Sequence, residues 1–114
     1  MKKTFTISLV FISISLLCQT DNWKIYNSLN TPLPSNKITS TVVDIEGNMF
    51  FGTHKGIVMF DGNSWKNYNS KNSKLPSNKV LSISVDNFNN KWIGTSSGLA
   101  IYKGGNFKIL NTKN

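Results

Sequence analysis

An all-β fold is what the sequence predicts, and three observations predict it. Trp23 is followed by Trp65 and then Phe107 at equal steps of 42 residues, and setting 23–64 over 65–106 gives 19 identities in 42 positions without a gap. Within each unit the apolar residues fall in short runs rich in β-branched and aromatic side chains, too short for ordinary helices and typical of strands. Between the runs lie Glu46-Gly47-Asn48, His54-Lys55-Gly56 and Asp61-Gly62-Asn63, where Gly and Asn tolerate the positive φ of tight hairpins. This density of breakers excludes a helical repeat. A period near 40–50 residues that supplies four strands per unit is the pattern of a propeller blade. The predicted architecture is two four-stranded antiparallel β-propeller blades plus one surplus outer strand, a partial propeller.

The elements follow in order. Trp23–Tyr26, Trp65–Tyr68 and Phe107–Leu110 read as outer strands, because residues such as Trp65, Lys66, Asn67 and Tyr68 alternate apolar with polar. Residues 38–45 and 80–86 read as inner strands, apolar on both faces as expected of a strand packed from both sides. Met49-Phe50-Phe51 and Trp92-Ile93 begin the second strands, and Ile57–Phe60 and Leu99–Tyr102 form the third. Connectors 27–37 and 69–79 cross from outer to inner strand over roughly 15 Å, three strand spacings, a reach that a few extended residues cover. Pro34 and Pro76 stiffen those crossings by fixing φ. The domain reading is a leader over 1–18 and a two-blade segment over 19–114, with units 23–64 and 65–106 and the start of a third at 107–114.

Lys2 and Lys3 precede a mostly apolar stretch from Phe5 to Leu17, shorter than the roughly 20 apolar residues that span a bilayer and shaped like a secretory signal peptide. The expectation is an exported bacterial protein, periplasmic or associated with the cell envelope. Cys18 is the only cysteine, so no intrachain disulfide forms. It is the candidate lipidation site and the only route to a membrane, although Leu17 before it is larger than that processing prefers. The alternative is that Cys18 leaves with the leader.

The chain carries 13 basic residues, every one a lysine, and five acids, for a net charge of +8. Removing Lys2 and Lys3 leaves +6. Arginine supplies the bidentate fork that reads guanine and grips phosphate. A scattered, lysine-only excess therefore argues for a solvated surface and no nucleic-acid partner.

The strings Val80-Leu81-Ser82-Ile83-Ser84-Val85-Asp86 and Asn90-Lys91-Trp92-Ile93-Gly94-Thr95-Ser96-Ser97-Gly98-Leu99-Ala100-Ile101-Tyr102 resemble the two-component regulator propeller repeat. That repeat runs as an apolar strand ending in Asp, a turn, Trp-Ile-Gly-Thr, a Gly-Leu pair and an aromatic. The first unit departs conservatively, with Phe50-Phe51-Gly52-Thr53 and Gly56-Ile57. The resemblance covers essentially all of 23–114. It implies a periplasmic propeller of the kind that senses oligosaccharides in hybrid sensor kinases, receptors that carry many more blades.

Individual residues point mostly to structure. Asp44 and Asp86 each precede a hairpin turn, where a carboxylate caps backbone N–H groups. Trp23, Trp65, Trp92 and Phe107 hold fixed repeat positions that suit blade packing. Gly52-Thr53 and Gly94-Thr95 read as close strand packing ahead of a turn, and no phosphate-loop or dinucleotide pattern occurs. His54 breaks the repeat, facing Ser96 of the other unit, and as a neutral-range titrating group it is the only candidate base. It lacks a His, Cys or carboxylate partner in recognisable spacing. The reading is thus a non-enzymatic module with no catalytic residue, cofactor or metal site. It binds or senses an oligosaccharide or other small ligand through Asn36, His54, Asn78 and Ser96, on loops 27–37, 53–56, 69–79 and 95–98 that strand alternation places on one face. The alternatives are a structural or protein-interaction module without a small ligand and, further off, a propeller lyase. Two blades leave apolar faces open, so the expected partners are other blades, supplied by self-association or by a longer chain of which this is a fragment.

Overall fold

The computed structural model describes residues 22–110; the leader, Cys18 and the last four residues lie outside them. Eight strands follow one another: β1 (Ile38–Val43), β2 (Met49–Thr53), β3 (Gly56–Phe60), β4 (Trp65–Tyr68), β5 (Val80–Val85), β6 (Lys91–Thr95), β7 (Gly98–Lys103) and β8 (Asn106–Leu110). They form two four-stranded antiparallel meanders, β1-β2-β3-β4 and β5-β6-β7-β8. Within each sheet every strand pairs with its sequence neighbour, and the two sheets pack against each other through β5 on β1 and β2. The arrangement is compatible with two adjacent propeller blades.

The turns are built from the residues that mark them in the sequence. Asp44 accepts hydrogen bonds at Oδ1 from the N–H groups of Glu46 (2.9 Å) and Asn48 (2.8 Å). Asp86 does the same for Phe88 and Asn90, both at 2.9 Å. Each turn needs one left-handed residue, which is Gly47 at φ 88° in the first and Asn89 at φ 64° in the second. Asn is among the few L-residues that occupy this region at modest cost. At the next turn the Thr53 hydroxyl donates to the Gly56 carbonyl and accepts from Lys55 N–H, and Thr95 repeats both bonds with Gly98 and Ser97. A bulge interrupts the ladder at Thr39 between β1 and β2, and again at Leu81 between β5 and β6. Such a bulge re-aims the strand where it meets a neighbour.

The connectors fold on themselves. In 69–79, Asn69 N–H bonds Asn72 Oδ1, Asn69 Oδ1 accepts from Lys71 and Asn72, Asn72 Nδ2 donates to Asn67 carbonyl, and Asn78 Oδ1 accepts from Ser70 N–H. Ser73 Oγ donates to the Asn69 carbonyl and accepts from Leu75, while Ser77 Oγ accepts from Lys79. In 27–37 all eight bonds recur at positions 42 lower, with Thr31 in place of Ser73.

The core lies between the sheets: Phe50, Ile57, Val80, Ile83, Ile93 and Ala100 are all buried. A Cβ on Gly52 would stand 2.8 Å from Val80 Cγ1 and 3.0 Å from Thr39 Oγ1, so only glycine lets β5 seat this closely. Burying Val80 and Ile83 there contributes about 1.5–3 kcal/mol each. Polar bonds line the same seam, with Thr39 Oγ1 donating to the Val80 carbonyl and Ser40 Oγ accepting from Ile83 N–H.

Two expectations need correction. Trp23–Tyr26 forms no strand. A strand requires a neighbour to take its ladder bonds, and by the repeat step that neighbour falls at residues 15–18, outside the described residues. The inner strands are also not packed from both sides. Ile38 and Val43 of β1 are 40% and 57% exposed and Leu81 of β5 is 50% exposed, because among the described residues no sheet precedes the first or follows the second.

Candidate functional site

The strand ends before β1 and β5 and after β2 and β6 gather three of the four candidate residues. Gly56 N–H donates to the Asn78 carbonyl at 2.7 Å, and Ser96 N–H donates to the Lys79 carbonyl at 3.1 Å. Connector 69–79 therefore ties the β2–β3 turn of its own sheet to the β6–β7 turn of the next. Gly56 makes the close approach possible, since at φ 116° a Cβ would overlap the Tyr68 carbonyl oxygen. Ser96 Oγ lies 2.9 Å from Ser77 Oγ. His54 is exposed at the tip of the β2–β3 turn, two residues from Gly56. Asn36 holds the equivalent place in connector 27–37.

The two asparagines do structural work at this site. Asn36 Oδ1 accepts Ser28 N–H and Asn78 Oδ1 accepts Ser70 N–H, each at 2.7 Å. These bonds pin the connectors, whereas His54 and Ser96 stand at exposed turn tips.

Charge divides between the strand ends. Lys37, Lys55 and Lys79 sit exposed beside His54 and Ser96, with no carboxylate among them. All four described acids lie in turns at the other strand ends: Asp44 and Glu46 after β1, Asp61 after β3 and Asp86 after β5. Coulomb attraction at the first end favours an anion, with a strength that depends on salt.

At the acidic end the structure holds a feature absent from the sequence reading. Lys91 is buried, not part of the solvated lysine surface, and its Nζ lies 2.9 Å from Asp44 Oδ2 across the seam between sheets. The ammonium also stands over the rings of Phe50 (5.0 Å) and Tyr102 (5.8 Å), a placement that ring quadrupoles favour. Burial pushes the Asp44 carboxyl up, but the Lys91 ammonium and the Asn48 donors outweigh it and hold the group below the usual carboxylate range. Asp86 has no such cation. Trp92 Nε1 donates to its Oδ2 at 2.9 Å, and that bond, with those from Asn90 and Phe88, lowers its pKa to about 2. One signal could have found Lys91: it breaks the repeat opposite Met49, just as Trp92 breaks it opposite Phe50. Two more polar groups cross the seam, Asn89 Oδ1 accepting from Ile45 N–H and Asn89 Nδ2 donating to Glu46.

The outer edge of the seam is aromatic. The hydroxyls of Tyr68 and Tyr102 meet at 2.9 Å in a buried pair, and burial with that bond raises the Tyr102 pKa to about 12. An open cleft of about 360 Å³ lies beside it, lined by Tyr68, Asn72, Ser73, Lys74, Gly105, Asn106 and Phe107.

No family model matches the chain, and no curated protein matches it. Among solved structures, it is similar to the crystal structure of an extracellular domain assigned to a hybrid two component system of B. thetaiotaomicron, with a TM-score of 0.71 and 20% identity. The match covers 80% of this chain and 13% of that one, so the chain spans about an eighth of its neighbour's length. At this identity the likeness is one of fold.

Proposed function

We propose that the chain is a segment of an exported, non-enzymatic β-propeller module that binds an oligosaccharide bearing negative charge, in the manner of an extracellular sensor. The observation that carries this reading is the charge division: one set of strand ends presents Lys37, Lys55 and Lys79 beside His54 and Ser96, and every described acid lies at the other. The likeness to an extracellular domain of a hybrid two component system supports the sensing role by analogy of fold. Lysine ammoniums and turn hydroxyls suit carboxylated or sulfated sugars, which need point charges and hydroxyl partners and no planar fork.

Calorimetric titration with uronate-containing, sulfated and neutral oligosaccharides tests the reading. Charged fragments should bind, weaken as salt rises, and lose affinity in Lys55→Glu and Lys79→Glu. Asn78 is a poor probe, because its substitution first undoes the connector. Silence across all charged fragments from a chain whose circular dichroism shows intact strands would overturn the proposal.

A further inference from the structure

The stretch Asn22-Trp23-Lys24-Ile25-Tyr26 repeats, two whole units earlier, the sequence Asn106-Phe107-Lys108-Ile109-Leu110 of β8. Three of the five residues are identical and the other two exchange one large apolar side chain for another. β4 with its lead residue, Ser64 to Tyr68, also shares three, at Trp, Lys and Tyr. The N-terminal stretch therefore carries the sequence of an edge strand, yet it forms no strand, and Trp23 is 93% and Ile25 73% exposed.

Its local geometry is already that of an outer strand leading into a neighbouring sheet. Tyr26 packs on Phe60 (5.8 Å) and Trp65 (5.5 Å), as Tyr68 packs on Tyr102 and Phe107, both at 5.3 Å. Lys24 Nζ stands over the Tyr26 ring as Lys66 Nζ stands over Tyr68. Connector 27–37 then carries the eight hydrogen bonds of 69–79. Residues 22–37 are held as though a sheet lay before β1.

The second sheet offers the matching face. A Cβ on Gly94 would meet only the Ser82 side chain and backbone, where its counterpart Gly52 is filled by Val80 and Ile83. The polar groups there agree with the same partner. Asp44 takes a cation from the next sheet, Lys91. Asp86 is satisfied within its own sheet by Trp92, and the residue that would face it in a copy of this chain is the uncharged Met49. Exposed Phe88 would face Gly47, which has nothing within 4 Å of its Cβ position.

We propose that a second copy of this chain docks head to tail on the second sheet, its residues 22–26 taking the edge position that β8 otherwise holds. β1 of the incoming copy then lies on β5 and β6 as β5 lies on β1 and β2. The exchange frees β8 of the receiving copy, so its gain is the covered face of β5 and β6 and not an added strand pair, and it is independent of any sugar ligand.

Trp23 anchors the exchange. In β4, Trp65 stacks on Phe60 at 4.2 Å, and in β8 Phe107 meets Tyr102 at 4.8 Å; Trp23 would take the Phe107 place on Tyr102 of the other copy. The full 114-residue chain should self-associate with concentration in sedimentation velocity. Trp23→Asp, at a residue almost fully exposed in the protomer, should keep the thermal midpoint and weaken association at least about tenfold, as loss of a buried aromatic anchor does. Ladder register supplies the second measurement. Ile101 pairs with Lys108, so in the exchanged state it pairs with Lys24. In a Cys18→Ser background, mixed Lys24→Cys and Ile101→Cys proteins should form a disulfide heterodimer under mild oxidation. Monomeric sedimentation over a hundredfold dilution, association indifferent to Trp23→Asp, or absence of the heterodimer would each overturn the proposal.

Discussion

The two sheets are near-copies in sequence and differ in what touches them. β5 buries Val80 completely and Ile83 almost so, whereas their counterparts in β1, Ile38 and Thr41, are exposed. Gly52 is closed over by a neighbouring strand and Gly94 is not. Asp44 borrows Lys91 from the adjoining sheet, while Asp86 relies on Trp92 of its own. One repeat therefore gives one backbone twice, and burial at each position is decided by the neighbour. Repeat arrays behave in this way in general, with stability divided between each unit and its interfaces.

The comparison can be broken most severely at Lys91. Lys91→Ala leaves the Asp44 carboxylate buried without its cation, a loss that should cost about 3–5 kcal/mol in urea unfolding. The pair Asp44→Asn with Lys91→Met, which imitates the Met49 position, should recover most of it. Failure of the double variant to exceed Lys91→Ala would show that the ammonium matters for its aromatic contacts and not for the carboxylate.

Glycine gives a smaller and more selective contrast. Gly52→Ala forces Val80 aside and should cost about 1–3 kcal/mol, the range of an overpacked core. Gly94→Ala meets only a rotatable hydroxyl at 3.0 Å and should change unfolding by less than about 1 kcal/mol at dilutions where the chain is monomeric. Equal effects at the two sites would remove the distinction between a closed and an open face.

The gentlest probe is pH. Both carboxyls titrate below the unfolded value of about 3.9, so their contribution is fully present above that value and is lost as pH falls through the folded pKa. Stability should be flat from about pH 7 to 5 and decline between about pH 4 and the value near 2 that Asp86 reaches. Asp86→Asn should flatten the lower part of that decline, followed by thermal melts at successive pH.

Most of the fold was legible because turn chemistry is local. Asp44-x-x-x-Asn48, the glycine at 56 and the Thr53 hydroxyl act within a few residues of themselves, so the strands they separate could be read in order. Strand status at Trp23–Tyr26 was not legible, since pairing depends on a distant partner and the alternation of Trp, Lys, Ile and Tyr is the same with or without one. Lys91 was misread for a related reason: a lysine beside a turn is usually solvated, and only the sheet packed across it encloses its ammonium. Of the candidate residues, His54 and Ser96 could be placed at turn tips from the repeat alone. That Asn36 and Asn78 spend their carbonyl oxygens on Ser28 and Ser70 could not, because Asn in a loop reads equally well as a ligand donor or as a backbone mimic.

The self-bonded connectors bear on the order in which this chain folds. None of their eight repeated hydrogen bonds spans more than eight residues, so each closes a loop of a size that forms in about 10–100 ns. Sheet ladders take microseconds or longer and must first recover the entropy of bringing their ends together. A connector that closes early shortens the path between Tyr68 and Val80 before either has a partner, lowering the apparent contact order of the whole array. Asn69→Ala should therefore slow folding in proportion to the stability it removes, with a φ-value near one, and leave the unfolding rate almost unchanged. In such a chain the asparagines between the sheets set the clock, and the apolar strands follow it.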